Sequence, residues 1–140
     1  MLGIHVRGRL GNQMFQYAAM RGIQARLYPN EEIALAFGRE GNQLRNLNVR
    51  PFRTNVPRPT RIQRFVAGCV GFLIESRWKS EQIQHQHAVQ HNVETRLQPL
   101  LNLFGLYRMQ DGYYAFHKSS AKNKLVAGYL ESEQYFAHIA

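Results

Sequence analysis

Hydrophobic positions at the start of the chain change from a strand pattern to a helix pattern and back. Residues 2–6 and 33–37 are short apolar runs, which are typical of buried strands. Between them, apolar residues recur at every fourth position from about residue 13 to residue 28, and Pro29 and Asn30 end this predicted helix. A strand, a helix and a second strand in this order predict the opening βαβ unit of a parallel sheet.

The middle of the chain combines a basic loop with two helical patterns, which together make residues 61–98 mostly helical. Six arginines and three prolines lie between residues 45 and 64, and this proline density excludes a helix through the centre of the segment. From residue 61 onward, helical apolar spacing predicts an amphipathic helix on which we expect Cys69 to be buried. Its predicted apolar face consists of Ile62, Phe65, Val66, Cys69, Val70 and Leu73. The glutamine-rich segment 80–98 predicts a second helix with a thin apolar seam, formed by Ile83, Val93 and Leu97.

Two further strands are predicted near the end of the chain, at residues 113–116 and 125–129, around the polar loop 117–124. Asp111 and Gly112 predict a turn before them, and residues 131–133 open another helix. These elements predict an α/β fold, a Rossmann-like parallel sheet with flanking helices. With 140 residues the chain is long enough for one such domain, spanning residues 1–140, and too short for two.

Composition and charge narrow the class of protein. Hydrophobic residues make up 44% and charged residues 19%, which indicates a globular chain rather than a disordered one. The formal net charge of +9 favours an anionic partner, and a single cysteine excludes an internal disulfide. The longest apolar run, residues 65–74, is about half of the roughly 20 residues that cross a bilayer. The N-terminus lacks the apolar stretch of a secretion signal, so we expect a cytoplasmic location.

The loop Gly8-Arg9-Leu10-Gly11-Asn12-Gln13 joins the first predicted strand to its helix and is the main candidate for binding chemistry. Its two glycines allow the backbone to approach a ligand, and a helix N-terminus offers unpaired N–H groups to an anion or a sugar. Leu10 stands where the dinucleotide-binding fingerprint needs glycine, and the loop lacks the Gly-Lys of a P-loop. The alternative is a plain strand-to-helix turn in which Asn12 is the N-cap.

Two other clusters have less specific patterns. His85, His87 and His91 lack a local acidic or cysteine ligand, so a solvated polar face is favoured over a metal site. Because Asp111 is the sole aspartate, the chain cannot form the paired-aspartate metal site used to hold nucleotide-sugar diphosphates. The arginines of residues 45–64 suit a solvated loop, an anionic membrane surface or nucleic acid, although few aromatic residues are present there to stack on bases.

Two stretches resemble the α-1,2-fucosyltransferase family. Residues 4–18 read Ile-His-Val-Arg-Gly-Arg-Leu-Gly-Asn-Gln-Met-Phe-Gln-Tyr-Ala, similar to the family's hydrophobic strand followed by Gly-Gly-Leu-Gly-Asn-Gln-Met-Phe-Gln-Tyr-Ala. Residues 128–136 resemble its Gly-Tyr-aromatic-Gln-Ser-Glu-x-Tyr-Phe segment. The sequence departs from the pattern at Arg9, which replaces a glycine, and at Leu130 and Glu131, which replace the aromatic and the glutamine. The family's His-x-Arg-Arg-Gly-Asp motif, whose arginine binds the donor diphosphate, is not among these residues.

The resemblance implies the N-terminal lobe of a glycosyltransferase with two Rossmann-like lobes. Its donor is GDP-fucose, bound mainly by the C-terminal half, and fucose passes to a galactose hydroxyl of a glycan acceptor with inversion and without a metal or further cofactor. The residues expected at the donor in this half are Gly8, Arg9, Gly11, Asn12 and Gln13. The catalytic base is unassigned, with His5, Glu131 and Glu133 as candidates.

Further expectations concern the partners and the completeness of the chain. The basic segment 45–64 is expected to contact an anionic membrane at its cytoplasmic face, and no nucleic-acid partner is expected. Because the main donor-binding motif is missing, the isolated chain is expected to be inactive. The alternative is a small basic module that binds RNA or phosphorylated ligands and catalyses nothing.

Overall fold

Four strands form one parallel sheet in the computed structural model, which describes residues 1–37, 54–79, 85–110 and 112–139. The elements in chain order are β1 (Leu2–Val6), α1 (Leu10–Leu27), β2 (Ile33–Phe37), α2 (Arg61–Trp78), α3 (Gln86–Leu103), β3 (Leu106–Arg108) and β4 (Lys124–Ala127), followed by two short 3-10 turns, Glu133–Tyr135 and Ala137–Ile139. None of the helices in these ranges has the length and apolarity needed to cross a bilayer.

The strand order is β2-β1-β4-β3, and all three neighbouring pairs are parallel. Ile4 pairs with Leu35 on one side and with Val126 on the other, and Val126 pairs in turn with Tyr107. The predicted Rossmann-like α/β fold is therefore confirmed. Because the strands are parallel, their carboxyl ends meet at one edge, where open α/β sheets bind ligands.

The strands are predicted with mixed success. β1 and β2 have the bounds that their apolar runs predict. The strand predicted at 113–116 is wrong, because these residues are irregular and Tyr113, Tyr114 and Phe116 instead place their rings in or against the core beside β3. β3 itself was not expected, and β4 is shorter than the predicted 125–129. Asp111, half of the predicted turn, lies outside the described residues.

Helix α1 and the C-terminal 3-10 turns cover one face of the sheet. Ala19, Met20 and Ile23 of α1 are buried against strand residues Leu2, Ile4 and Leu35. The helix begins at Leu10, three residues earlier than predicted. Gly22 is buried where α1 meets the first 3-10 turn, and a Cβ there would lie 1.7 Å from the carbonyl oxygen of Tyr135. The helix and the turn are therefore in direct backbone contact.

Helices α2 and α3 cover the other face. Val70 and Ile74 of α2 pack with residues of α3 and β3 in a second buried cluster, completed by Val93, Leu101 and Leu106. Cys69, however, is exposed, so its predicted burial is wrong. The reason is that α2 is apolar on two sides: Val66, Val70 and Ile74 face inward, whereas the other members of the predicted face, Ile62, Phe65, Cys69 and Leu73, face outward.

The start of α2 is fixed by a capping box. The Thr60 hydroxyl accepts a hydrogen bond from the Gln63 backbone, and the Gln63 side chain accepts one from the Thr60 N–H. Gln63 also donates to the carbonyl oxygens of Phe104 and Asn123, each at 2.9 Å, which anchors α2 to the ends of α3 and β4. Of the predicted basic loop, residues 45–53 lie outside the described part, 54–60 are irregular, and 61–64 are helical.

Helix α3 buries a polar face, which lies outside the thin apolar seam predicted for its glutamine-rich sequence. Gln90, Glu94, Gln98 and Asn102 recur at every fourth position and are all buried. The Glu94 carboxylate accepts hydrogen bonds from Gln90 Nε2 and Arg108 Nε, each at 3.0 Å, and from the Gln110 N–H at 2.8 Å. This polar ladder joins α3 to β3 and to the residues that follow it.

An ion pair connects the loop before β2 to the start of β4. The Lys124 ammonium, almost fully buried, binds the Glu31 carboxylate and lies 4.7 Å from the centre of the Tyr28 ring. The Met1 ammonium also donates to Glu31, at 2.5 Å. Burial raises the pKa of Glu31, but the hydrogen bonds from Lys124 and Met1 outweigh it, so this pKa lies below its ordinary value of 4.5.

We expect Gly22→Ala to lower the free energy of unfolding by about 1–3 kcal/mol, because the new methyl group forces α1 away from the Tyr135 carbonyl. Urea unfolding followed by circular dichroism measures this change. The matched control is Gly68→Ala on α2, where a Cβ meets nothing within 4 Å. There the better helix propensity of alanine is expected to stabilise by up to about 1 kcal/mol. Equal stabilisation by both substitutions would contradict the close packing at Gly22.

We expect Glu31→Gln to cost about 1 kcal/mol of stability at neutral pH, an amount limited by the partial exposure of the carboxylate. Because the folded-state pKa is lowered, the contribution of Glu31 is complete above about pH 4.5 and is lost as the pH falls through the folded-state value. The stabilities of wild type and variant should therefore converge in acid. Unfolding curves over a pH series test this, with the exposed Glu133→Gln as control. A difference that stays constant into acid would rule out the ion pair as its source.

Candidate functional site

A cleft of about 470 Å³ lies between the sheet and helix α2 and extends to the carboxyl ends of β1, β3 and β4. Its floor consists of small and apolar residues of the sheet, among them Gly3, Leu125 and Ala127. Its walls include Ala67 and Val70 of α2. The cleft is thus in the region where open α/β sheets usually bind ligands.

The register of the sheet explains why this face is hollow. Ile4 of β1 pairs with Val126 of β4, so His5 and Ala127 follow in the next row, and Ala127 pairs with Arg108 of β3. His5 and Arg108 therefore stand on the same face in one row, two strand spacings or roughly 10 Å apart, with only the Ala127 methyl group between them.

Four basic side chains of the described residues line the cleft, and Tyr107 is the one other ionisable residue among its lining. The basic residues are His5, Arg7, Arg64 and Arg108. Arg108 forms an ion pair with the buried Glu94 carboxylate, which partly neutralises its charge. Arg7 and Arg64 are exposed, and neither takes part in an ion pair among those found in the described residues. Positive charge concentrated in a concave site attracts phosphates and other anions.

Two glutamines fix the chain where β1 runs into α1. Gln16 is fully buried; its amide oxygen accepts from the Arg7 N–H at 3.0 Å, and its amide nitrogen donates to the Arg7 carbonyl at 2.9 Å. Gln13 donates to the Gly8 carbonyl at 2.7 Å. These bonds satisfy the backbone groups at the strand end and hold Arg7 at the mouth of the cleft.

The five predicted donor-binding residues all lie in this turn, beside the cleft rather than in its lining. Arg9 and Gly11 are exposed, Asn12 is half-buried, and Gln13 is buried behind the loop. Gly8 has a φ of 80° and is crowded by its neighbours: a Cβ there would lie 2.8 Å from Asn12 Nδ2. Their contact with a donor stays a prediction.

The alternative role predicted for Asn12 is wrong. The N-cap of α1 is Arg9, and it makes no side-chain cap hydrogen bond. Asn12 is instead the third helical residue, because the helix begins at Leu10, and its side chain folds over Gly8. With no acidic residue in the first turn either, the positive end of the helix is open to an anion.

The two stretches that resemble fucosyltransferases lie against each other. A Cβ at Gly8 would be 3.2 Å from a ring carbon of Tyr129, and the rings of Phe15 and Phe136 lie 6.0 Å apart. Tyr135 is buried, and its ring stacks on that of Phe116, with centroids 5.5 Å apart. Residues 128–136 thus form a wall along the Gly8–Gln13 turn and helix α1.

Among the other candidates, only His5 reaches the cleft. Glu131 and Glu133 are exposed and are not among its lining residues. His85 and His87 are exposed and His91 is half-buried, and no three histidine, cysteine, aspartate or glutamate residues of the described ranges are grouped to hold a metal ion. Sequence reasoning missed the cleft itself, since its basic residues come from β1, α2 and β3; the one local signal was a histidine inside an apolar strand.

Comparisons with protein-family models, with curated proteins and with solved structures found no match to this chain. The family resemblance therefore depends on residues 4–18 and 128–136 alone.

Proposed function

We propose that this chain forms the N-terminal lobe of a fucosyltransferase that moves fucose from GDP-fucose to a galactose 2-hydroxyl of a glycan. The observation that carries the proposal is the contact between the two family-like stretches, through Gly8 with Tyr129 and through Phe15 with Phe136. Segments more than one hundred positions apart in the sequence meet beyond the carboxyl ends of β1 and β4, the region where open α/β sheets usually bind ligands.

The charge around the turn suits the departure of a nucleoside diphosphate. In the inverting reaction, the acceptor oxygen bonds to fucose C1 while the bond from C1 to the diphosphate oxygen breaks, and GDP leaves with the electron pair. Arg7, Arg9 and the uncapped end of α1 supply positive charge that stabilises this leaving group without a metal. The acceptor proton passes to a base that these residues do not identify.

Within the turn, the residues have separate roles. Gln13 and Gln16 hold the backbone from the buried side. Gly11 is exposed, and a Cβ there would meet nothing within 4 Å, so a ligand can approach the helix end closely. In this proposal Asn12 offers its amide to the donor phosphate or to fucose. The protein would act on the cytoplasmic side, at the inner face of the membrane where lipid-linked glycans are found.

We expect millimolar GDP to shift the backbone amide resonances of residues 8–13 in a ¹⁵N NMR titration, with or without EDTA. Guanosine, which lacks phosphates, should have little effect on them. Arg9→Gln should weaken GDP binding about five- to tenfold, since it removes one charge-assisted interaction. The matched control, Arg96→Gln, changes an exposed arginine on α3 and should leave binding unchanged.

The same titration tests the second candidate function, a module that binds phosphorylated ligands in the basic cleft without transferring a sugar. The observation in its favour is the set of basic residues His5, Arg7, Arg64 and Arg108. In that case pyrophosphate and GDP would shift His5 and Arg108 alike, and the turn would not respond. GDP shifts confined to the cleft would contradict the transferase proposal.

A further inference from the structure

The outward side of helix α2 carries a row of large apolar side chains, here called the outer ridge: Ile62, Phe65, Cys69, Phe72 and Leu73. Phe65 and Phe72 are 72% and 70% exposed, and Ile62 is 59% exposed. At 100° per residue these side chains fall within an arc of about 100°, next to the arc of Val66, Val70 and Ile74 that packs on α3. The ridge runs along most of a helix roughly 27 Å long.

Cations lie along one side of the ridge and at both of its ends. From residue 58 to residue 79 the chain has five basic residues, Arg58, Arg61, Arg64, Arg77 and Lys79, and one acidic residue, Glu75, which pairs with Lys79 at 3.8 Å. All five basic residues are exposed. On the helical wheel Arg61 and Lys79 border one side of the ridge, and Arg77 lies one turn beyond Leu73, at its C-terminal end.

We infer that the outer ridge is a docking surface for an anionic lipid membrane. In this arrangement α2 lies flat in the interface, Phe65 and Phe72 enter the acyl region, and Arg61 and Arg77 meet lipid phosphates. An apolar centre with a cationic border is the pattern of helices that bind in the membrane interface. The inference does not depend on the proposed transferase activity.

Charge and apolar contact together favour an anionic membrane over a second copy of the chain or a nucleic acid. A second copy of the chain would bring a molecule of net charge +9 against another, with the arginines beside both ridges facing each other. Nucleic acid would suit the cations, but it gives Ile62 and Leu73 no apolar partner. An anionic bilayer satisfies both the apolar centre and the cations.

The surface can be tested through Cys69, the only cysteine of the chain, which is exposed on the ridge. An environment-sensitive fluorophore on Cys69 should shift to the blue when the protein meets phosphatidylcholine vesicles that contain about 30 mol% phosphatidylglycerol. Phosphatidylcholine alone should bind at least tenfold more weakly, and salt should weaken binding to the anionic vesicles.

Variants distinguish vesicle binding through the outer ridge from non-specific adsorption of the protein to lipid. Because Phe65 and Phe72 are exposed, Phe65→Ser with Phe72→Ser should keep the fold, and it should reduce vesicle binding by more than tenfold in sedimentation. Arg61→Gln with Arg77→Gln should remove most of the preference for anionic lipid. The control is Met14→Ser, which removes a half-exposed apolar side chain from α1, on the opposite face of the sheet, and should change nothing.

Three results would overturn the inference. The first is equal vesicle binding by the wild type and the double serine variant. The second is a blue shift that rises with protein concentration in the absence of lipid, together with a dimer in sedimentation equilibrium, which would make the ridge a self-association surface. The third is gel-shift binding of RNA that needs Phe65 and Phe72 while vesicles bind nothing.

Discussion

The buried carboxylate of Glu94 is the interaction on which the shape of the cleft depends. It is fully buried and accepts hydrogen bonds from Gln90, Arg108 and the backbone of Gln110. A buried charge without partners would destabilise the fold, so these three donors must stay in place for the protein to be stable. As a result, β3 is kept at the edge of the sheet, and Arg108 is kept two strand spacings from His5.

A second set of polar contacts does the same work at the opposite side of the cleft. Gln16 bonds to both backbone polar groups of Arg7, and Gln13 bonds to the carbonyl of Gly8. Gln13 and Gln16 thus hold the backbone in place, whereas Arg7, Arg9 and the N-terminal end of α1 supply positive charge. In both places a buried side-chain amide or carboxylate ties a helix to the carboxyl end of a strand, and the residues left at the edge are basic.

The sequence correctly predicts those elements whose pattern of apolar residues is compatible with only one kind of structure. β1 and β2 have their predicted bounds because a short apolar run can satisfy burial on both faces only inside a sheet. The predicted burial of Cys69 is wrong because α2 is apolar on two sides, and the spacing of apolar residues does not show which side packs on the core. The rings at 113–116 fill the core from an irregular segment, although their pattern is typical of a strand. The polar face of Gln90, Glu94 and Gln98 is buried because Glu94 and Gln98 hydrogen-bond to the backbones of Gln110 and Arg108. These partners lie in and just after β3, so the sequence of the helix alone does not reveal the burial. The turn at Gly8 is a local feature and can be found from its letters, whereas the cleft is assembled from three distant elements.

The most direct test of the role of Glu94 is amide hydrogen exchange in Glu94→Gln, which has nearly the same shape and lacks the charge. The Gln110 N–H donates to the carboxylate in the wild type. We expect its exchange to become at least tenfold faster in the variant, which corresponds to about 1.4 kcal/mol of lost protection, while the amides of β1 keep theirs. If Gln110 and its neighbours exchange at the wild-type rate, the buried carboxylate does not hold this side of the cleft.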